Sequence, residues 1–140
     1  MNGIRRSGAL ACLALAAVIG AAAGQSGAGA KAGKPQITVT VTPRWGRGGV
    51  EEMAEIAGSV QGAPKDARLV LFTHTDFWYV QPWAASPFTK LTDGVFRTRV
   101  HLGSEYAVLL VRLPYSPSAT WKDVPAEGGD VLALKVVPAR

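Results

Sequence analysis

The alternation of apolar and polar residues has a period of two from residue 37 onward. In the segment 37–42, three β-branched apolar residues alternate with three threonines. Successive side chains of a strand point to opposite faces, so this segment is predicted to be a strand with one buried face. Other short apolar runs between turn residues predict strands over 56–62, 68–75, 77–81, 88–92, 95–101, 106–113 and 131–137.

Two of these runs have a composition typical of the interior of a sheet. Residues 106–113 are apolar at nearly every position, which indicates a strand covered on both faces. The run 68–75 is rich in Leu, Val and Phe and is predicted to be central. Residues 51–55 leave two alternatives open, because they could belong to the second strand or form a short helical turn.

Turn residues set the connections between the predicted strands. The Asp-Gly pair at 93–94 predicts a tight hairpin, because Gly accepts the positive φ that such turns need. Pro-Lys-Asp at 64–66 predicts a turn before the third strand, and Gly-Gly-Asp at 128–130 precedes the last one. Short strands without a sustained helical period predict an all-β fold, an antiparallel immunoglobulin-like β-sandwich of about seven strands.

The first 24 residues follow the pattern of an export signal. Arg5 and Arg6 precede a nearly uncharged apolar stretch, and the alanines at 21–23 offer a small-residue cleavage site. Cleavage is expected after Ala23, with Ala30 as the alternative. The sequence therefore divides into a signal peptide (1–24), a flexible linker rich in Gly, Ala and Ser (25–35) and one domain (36–140), and the protein is expected to be secreted or periplasmic.

Charge and cysteine content narrow the range of partners. The chain of 140 residues has 15 Lys and Arg against 10 Asp and Glu, and Arg5 and Arg6 leave with the leader. The remaining basic excess is mild and includes no basic run, so nucleic acid is not an expected partner. Membrane contact is expected only through the leader. Cys12 is the only cysteine and lies in the leader, so the mature domain can form no disulfide.

An aromatic cluster at residues 77–83 is the main candidate for a binding surface. A period of two places four residues on one face of the predicted strand: Phe77, Tyr79, Gln81 and Trp83. We expect Trp78 and Val80, on the other face, to be buried, since the Tyr79 hydroxyl and the Gln81 amide would cost free energy if buried unpaired. Flat rings beside an amide suit a sugar. The alternative is that these aromatics complete the core.

The sequence offers weaker signs of a catalytic site than of the aromatic binding surface. His74 and Asp76 lie two residues apart and could form an acid–base or metal pair, and His101 and Glu105 flank a turn. No HExxH motif, cysteine pair or strained Gly-x-Ser-x-Gly elbow accompanies them. The sequence therefore predicts no enzyme, no metal site and no cofactor, with a small hydrolase built on His74 and Asp76 as the less favoured alternative.

Several segments, in consistent order, resemble an accessory module of secreted bacterial proteins that sometimes accompanies glycoside hydrolase domains. The matching pieces are Gly-Ser-Val-Gln-Gly at 58–62, Leu-Val-Leu-Phe at 69–72, Trp-Tyr-Val-Gln-Pro-Trp at 78–83 with Pro87, Asp-Gly at 93–94, and Gly-Ser-Glu-Tyr-Ala-Val-Leu-Leu-Val at 103–111. The resemblance implies an immunoglobulin-like or carbohydrate-binding-like sandwich without catalytic residues.

Together these observations predict a secreted, non-catalytic binding domain whose ligand is a carbohydrate or another cell-envelope component. The alternative is a structural or protein-interaction module that uses an exposed sheet edge. Solvent exposure of the aromatic strip at 77–83 favours the first function, and an unprotected apolar edge strand favours the second.

Overall fold

The structure, a computed structural model, describes residues 33–140. The predicted signal peptide and most of the predicted linker therefore lie outside the described residues. The described chain forms nine strands and no helix. The strands are β1 (Gln36–Val41), β2 (Met53–Gln61), β3 (Ala67–His74), β4 (Trp78–Gln81), β5 (Phe88–Thr89), β6 (Val95–His101), β7 (Glu105–Arg112), β8 (Thr120–Trp121) and β9 (Val131–Pro138).

Two antiparallel sheets pack face to face. The smaller sheet has the order β1-β2-β6, and the six-stranded sheet has the order β8-β4-β3-β7-β9, with β5 also paired to β3. This arrangement corresponds to the A-B-E and C′-C-F-G strands of immunoglobulin-like sandwiches. The predicted antiparallel immunoglobulin-like β-sandwich is confirmed. The strand count exceeds the expected seven because β5 and β8 are strands of two residues each.

The hairpin predicted at 93–94 leads into β6. Asp93 has a φ of 51° and Gly94 a φ of 74°, and Thr92 and Val95 exchange two backbone hydrogen bonds of 2.9 Å each. Positive φ at both central residues is the geometry of a type I′ turn, whose twist matches that of the flanking strands. The prediction of this turn is confirmed, although the strand predicted before it, 88–92, is reduced to β5.

The ambiguous segment 51–55 belongs partly to β2, which begins at Met53. Met53 pairs with His101 of β6, and the Glu55 carboxylate accepts two hydrogen bonds of 2.8 Å from Arg97 on the same strand as His101. Cross-strand pairing of this kind requires an extended backbone. The structure therefore favours the strand over the helical turn.

The six-stranded sheet is apolar on both faces. The main core lies between the two sheets, and its members include Ile56, Leu69, Leu71, Phe96, Val100 and Tyr106. A second apolar cluster lies on the outer face and includes Val70, Phe72, Trp78, Val80, Ala107 and Leu109. Tyr115, Trp121 and Val124, from the connection between β7 and β9, pack against this outer cluster. Each residue of the segment 106–111 is 0% exposed, which confirms the prediction that this strand is covered on both faces.

Tyr106 fixes the start of β7 against the end of the sandwich. Its hydroxyl donates to the carbonyl oxygen of Arg44 at 2.9 Å and accepts the backbone N–H of Gly103 at 3.1 Å. A buried tyrosine whose hydroxyl bonds the backbone a few residues upstream is the tyrosine corner of immunoglobulin-like domains. Burial raises the pKa of the Tyr106 phenol, so the hydroxyl keeps the proton that it donates.

Candidate functional site

The two faces of β4 have opposite environments. Trp78 and Val80 are 7% and 6% exposed and belong to the outer apolar cluster, as predicted. Tyr79 and Gln81 therefore point to the inner side of the sheet. Trp83 follows the strand in a tight turn, with its carbonyl oxygen accepting the N–H of Ser86 at 3.1 Å, and its side chain is 51% exposed.

The predicted exposure of Gln81 is wrong. Its side chain is only 2% exposed, and both the oxygen and the nitrogen of its amide form hydrogen bonds inside the protein. Gln81 Oε1 accepts the backbone N–H of His101 at 2.9 Å and lies 2.8 Å from His101 Nδ1, and Gln81 Nε2 donates to the carbonyl oxygen of Tyr79 at 3.3 Å. Burying a polar group costs little free energy once its hydrogen bonds are made, so the Gln81 amide can be buried here.

These contacts also determine the state of the His101 ring. The backbone N–H must meet an acceptor, so the carbonyl oxygen of Gln81 and not its NH₂ group faces His101. An oxygen can only accept, so Nδ1 of His101 carries a proton and donates it. On the same residue, the carbonyl oxygen accepts the Thr73 hydroxyl at 3.0 Å. Side chains of the six-stranded sheet therefore hold the end of β6 in place at both its N–H and its C=O.

A cleft of about 410 Å³ opens where β4 and the end of β6 approach each other. We call it the aromatic cleft. Tyr79, Gln81 and Trp83 all line it, together with the end of β3, the end of β6 and the loop 47–50, and its surface is mostly apolar. Its volume lies in the range typical of small-ligand sites, roughly 300–1,000 Å³. Phe77 is 43% exposed but does not line the cleft, so the structure brings together three of the four predicted residues.

Trp83 and His101 form the aromatic contact of this cleft. Their ring centroids are 4.8 Å apart with an interplanar angle of 74°, an edge-to-face geometry favoured between aromatic rings. Since Gln81 fixes the imidazole, the contact restrains the indole without burying it. Arg47 adds a positive charge to the lining.

A hydrogen-bonded carboxylate positions the Tyr79 ring. Three donors meet Asp76 Oδ1 and lower the pKa of that carboxyl group: the Thr75 hydroxyl at 2.9 Å, the Tyr79 hydroxyl at 3.0 Å and the Phe77 N–H at 3.1 Å. The hydrogen bond between the Tyr79 hydroxyl and Asp76 raises the pKa of Tyr79, because loss of the phenol proton would leave two anions in contact. The Tyr79 hydroxyl thus donates to Asp76 and keeps oxygen lone pairs for a further partner.

The structure does not bring His74 and His101 together. The His74 ring contacts Trp78 of the outer face at a tilt of 44°, with centroids 4.8 Å apart, whereas His101 contacts Gln81 on the inner side. Ser104 Oγ and Glu105 Oε2 lie 3.2 and 3.8 Å from His74, but both approach the same ring nitrogen, Nδ1. A catalytic triad needs the nucleophile and the acid at different nitrogens, so this arrangement lacks that geometry.

Between residues 33 and 140, no three His, Cys, Asp or Glu side chains are grouped so that they could hold a metal ion. The same part of the chain contains no helix long and apolar enough to cross a membrane. Comparison of the chain with models of protein families, with curated proteins and with solved structures found no match, so the resemblance to an accessory module stays a hypothesis.

Several residues of the aromatic cleft were not among the predicted site residues. Arg47, Thr73 and His101 line it, yet they lie far apart in the sequence and outside the aromatic segment. Their approach depends on the pairing of β3 with β4 and on the position of the edge of β6. The only local signal is the Gly-rich loop 46–49, which predicts a turn and nothing about what the turn contacts.

Proposed function

We propose that this protein is a non-catalytic binding domain whose aromatic cleft takes a carbohydrate. The observation that carries the proposal is the setting of Trp83, a half-exposed indole at a cleft that also contains Tyr79 and a fixed histidine. An exposed large apolar ring costs free energy in water, and stacking on the apolar face of a sugar ring removes that cost.

The polar groups around the ring fit the hydroxyl groups of a sugar. Tyr79 offers oxygen lone pairs and Arg47 offers N–H donors, and both residues line the cleft. The orientation of Tyr79 is set by Asp76 and that of His101 by Gln81, so these rings lose little freedom when a ligand binds. A site that is already ordered binds more tightly than one that must be ordered by its ligand.

The outer edges of β6 and β9 favour the cleft over the alternative of strand addition at these strands. On the outer edge of β6, Gln81 and Thr73 bond the N–H and C=O of His101. On the outer edge of β9, the Glu127 carboxylate accepts the N–H of Leu134 at 3.0 Å. Side chains thus use backbone groups that an added strand would need.

Binding to polysaccharides tests the proposal. The purified protein, its Trp83→Ala variant and its Trp78→Ala variant are assayed against cellulose, xylan, chitin and peptidoglycan, and thermal melting is recorded for each. We expect at least one polysaccharide to be bound and Trp83→Ala to weaken that binding about tenfold or more, with little change in melting temperature. Trp78→Ala should instead destabilise the fold by about 3–5 kcal/mol, because it removes a buried ring.

Two results would contradict the proposal. Equal binding by the parent and Trp83→Ala would show that the ligand lies elsewhere, and no binding to any of the polysaccharides would leave the cleft without this function. A large loss of stability in Trp83→Ala, without one in Trp78→Ala, would show that the indole is part of the core.

We also propose that the protein is secreted or periplasmic, on the strength of the leader sequence at 1–24. Mass spectrometry of the processed protein is expected to find Gly24 at its N-terminus. An intact Met1, or a lipid on Cys12, would contradict this proposal.

A further inference from the structure

A second cleft lies at the other end of β3 from the aromatic cleft. Its volume is about 740 Å³, and its walls are the turn before β3, β5 with the residues that follow it, and the 93–94 turn. Ala67, the first residue of β3, lines this second cleft, whereas Thr73, next to the last residue of β3, lines the aromatic cleft. A strand rises about 3.3 Å per residue, so the two clefts are about 20 Å apart.

Basic side chains are concentrated in this second cleft, which we call the basic cleft. Lys65, Arg68 and Lys90 line it against a single carboxylate, that of Asp93. None of the three cations forms an ion pair within the described residues, although other arginines of the domain pair with glutamates. Unpaired charges of one sign in a concave surface focus the field and attract a ligand of the opposite sign.

One further residue of the basic cleft suits a sugar with acidic groups. Phe88 is 37% exposed and lines the cleft, so its ring can stack on an apolar sugar face. Carboxylate or sulfate oxygens of such a sugar accept hydrogen bonds from the N–H groups of the lysines and Arg68.

We propose that the basic cleft binds the anionic groups of an acidic polysaccharide. The concave shape favours a chain that enters the cleft over the flat surface of a bilayer, which would meet the rim and leave the lining cations apart from the lipid phosphates. The ligand class is thus a polysaccharide carrying carboxylate or sulfate groups. This site is separate from the aromatic cleft, and its existence does not depend on what the aromatic cleft binds.

Titration of the protein with polygalacturonate, dextran sulfate and neutral dextran tests the proposal. The variant Lys65→Gln/Lys90→Gln removes two charges from the basic cleft, and Lys122→Gln/Lys135→Gln removes two exposed charges elsewhere. An exposed ion pair contributes about two- to fivefold to affinity, so the first variant, which loses two such pairs, should bind the acidic polymer about four- to twenty-five-fold more weakly. The second variant should bind like the parent, because its net charge has changed by the same amount but its cleft has not.

Further measurements distinguish binding at the basic cleft from binding at the aromatic cleft and from binding to a membrane surface. Trp83→Ala should keep its affinity for the acidic polymer, and neutral dextran should not be bound at the basic cleft. Preference between polygalacturonate and dextran sulfate identifies the acidic group. Equal losses in the two lysine variants, no binding of either acidic polymer, or charge-dependent binding only to phosphatidylglycerol vesicles would each overturn the proposal.

Discussion

The amide of Gln81 connects the two sheets at the end of the sandwich that carries the aromatic cleft. Its carbonyl oxygen meets both the backbone N–H and Nδ1–H of His101, so one side chain satisfies two donors of another element. Loss of that oxygen would leave the buried N–H without an acceptor, since Gln81 is 2% exposed and excludes water from the contact.

Gln81→Leu is therefore expected to lower the free energy of unfolding by about 1–3 kcal/mol. Urea denaturation of the variant and the parent measures the difference. Gln61→Leu is the matched control, because Gln61 is an exposed glutamine at the end of β2, and its replacement should change stability by no more than about 0.5 kcal/mol. Equal stability of the Gln81→Leu variant and the parent would show that the sheets are not joined through this amide.

Titration of the tyrosines tests the contact between Asp76 and Tyr79. All three tyrosines of the chain have raised pKa values, Tyr79 through its bond to Asp76, and Tyr106 and Tyr115 through burial. In Asp76→Asn, the pKa of Tyr79 should fall towards its ordinary value while the other two stay raised. Absorbance of the ionised phenols against pH measures this, with Tyr79→Phe to assign the signal.

The same pair gives the fold a pH dependence with a definite sign. The pKa of Tyr79 is raised in the folded state, so its contribution to stability is present below the ordinary tyrosine pKa and is lost as pH rises through the raised value. The pKa of Asp76 is lowered, so its contribution is present above the ordinary carboxyl pKa and is lost as pH falls through the lowered value.

Asp66→Asn is the control for the tyrosine titration of Asp76→Asn. Asp66 lies in the turn at the other end of β3, so its replacement should leave the Tyr79 titration unchanged.

β2 is the middle strand of the smaller sheet, and Gly58 lies where both neighbouring strands approach it. Gly58 pairs with Val39 of β1 and Phe96 of β6. A Cβ atom at this position would lie 2.1 Å from the carbonyl oxygen of Thr38 and 2.7 Å from Cζ of Phe96. Both distances are far below van der Waals contact, so a side chain here must move β1 or the Phe96 ring.

Gly58→Ala is expected to destabilise the domain by about 1–3 kcal/mol, the usual cost of overpacking a core. Chemical denaturation measures the change in unfolding free energy. Gly33→Ala is the control, since a Cβ there meets no atom within 4 Å. If Gly58→Ala were as stable as the parent, the close approach of β1 and Phe96 would not exist in solution.

Strand positions were predictable from the sequence because the alternation of side chains is a local property. The type I′ turn at 93–94, the doubly covered β7 and the buried face of β4 all follow from short segments read alone. The aromatic cleft was not predictable in the same way. His101 reaches Gln81 across 20 residues of sequence, and only the approach of the β6 edge to β4 brings the pair together.

At the scale of the whole molecule, the six-stranded sheet needs cover on both of its apolar faces. The smaller sheet covers the inner face, and the long connection between β7 and β9 covers part of the outer face through Tyr115, Trp121 and Val124. That connection includes β8, whose Trp121 pairs with Trp78 of β4. A domain of this size thus buries two apolar clusters and has no need of a covalent link between its sheets.

The domain is therefore expected to fold without residues 1–35 and without any disulfide. Cys12, the only cysteine of the chain, lies outside the described residues, so a protein consisting of residues 36–140 contains no thiol. Its circular dichroism should show a β-rich spectrum and one cooperative thermal transition, with the same midpoint in the presence and absence of reductant. Dependence of the full chain's melting on reductant, set against this cysteine-free control, would have to come from Cys12. A helical spectrum, or no cooperative transition in the isolated domain, would show that packing of the two clusters is insufficient to hold the sandwich together.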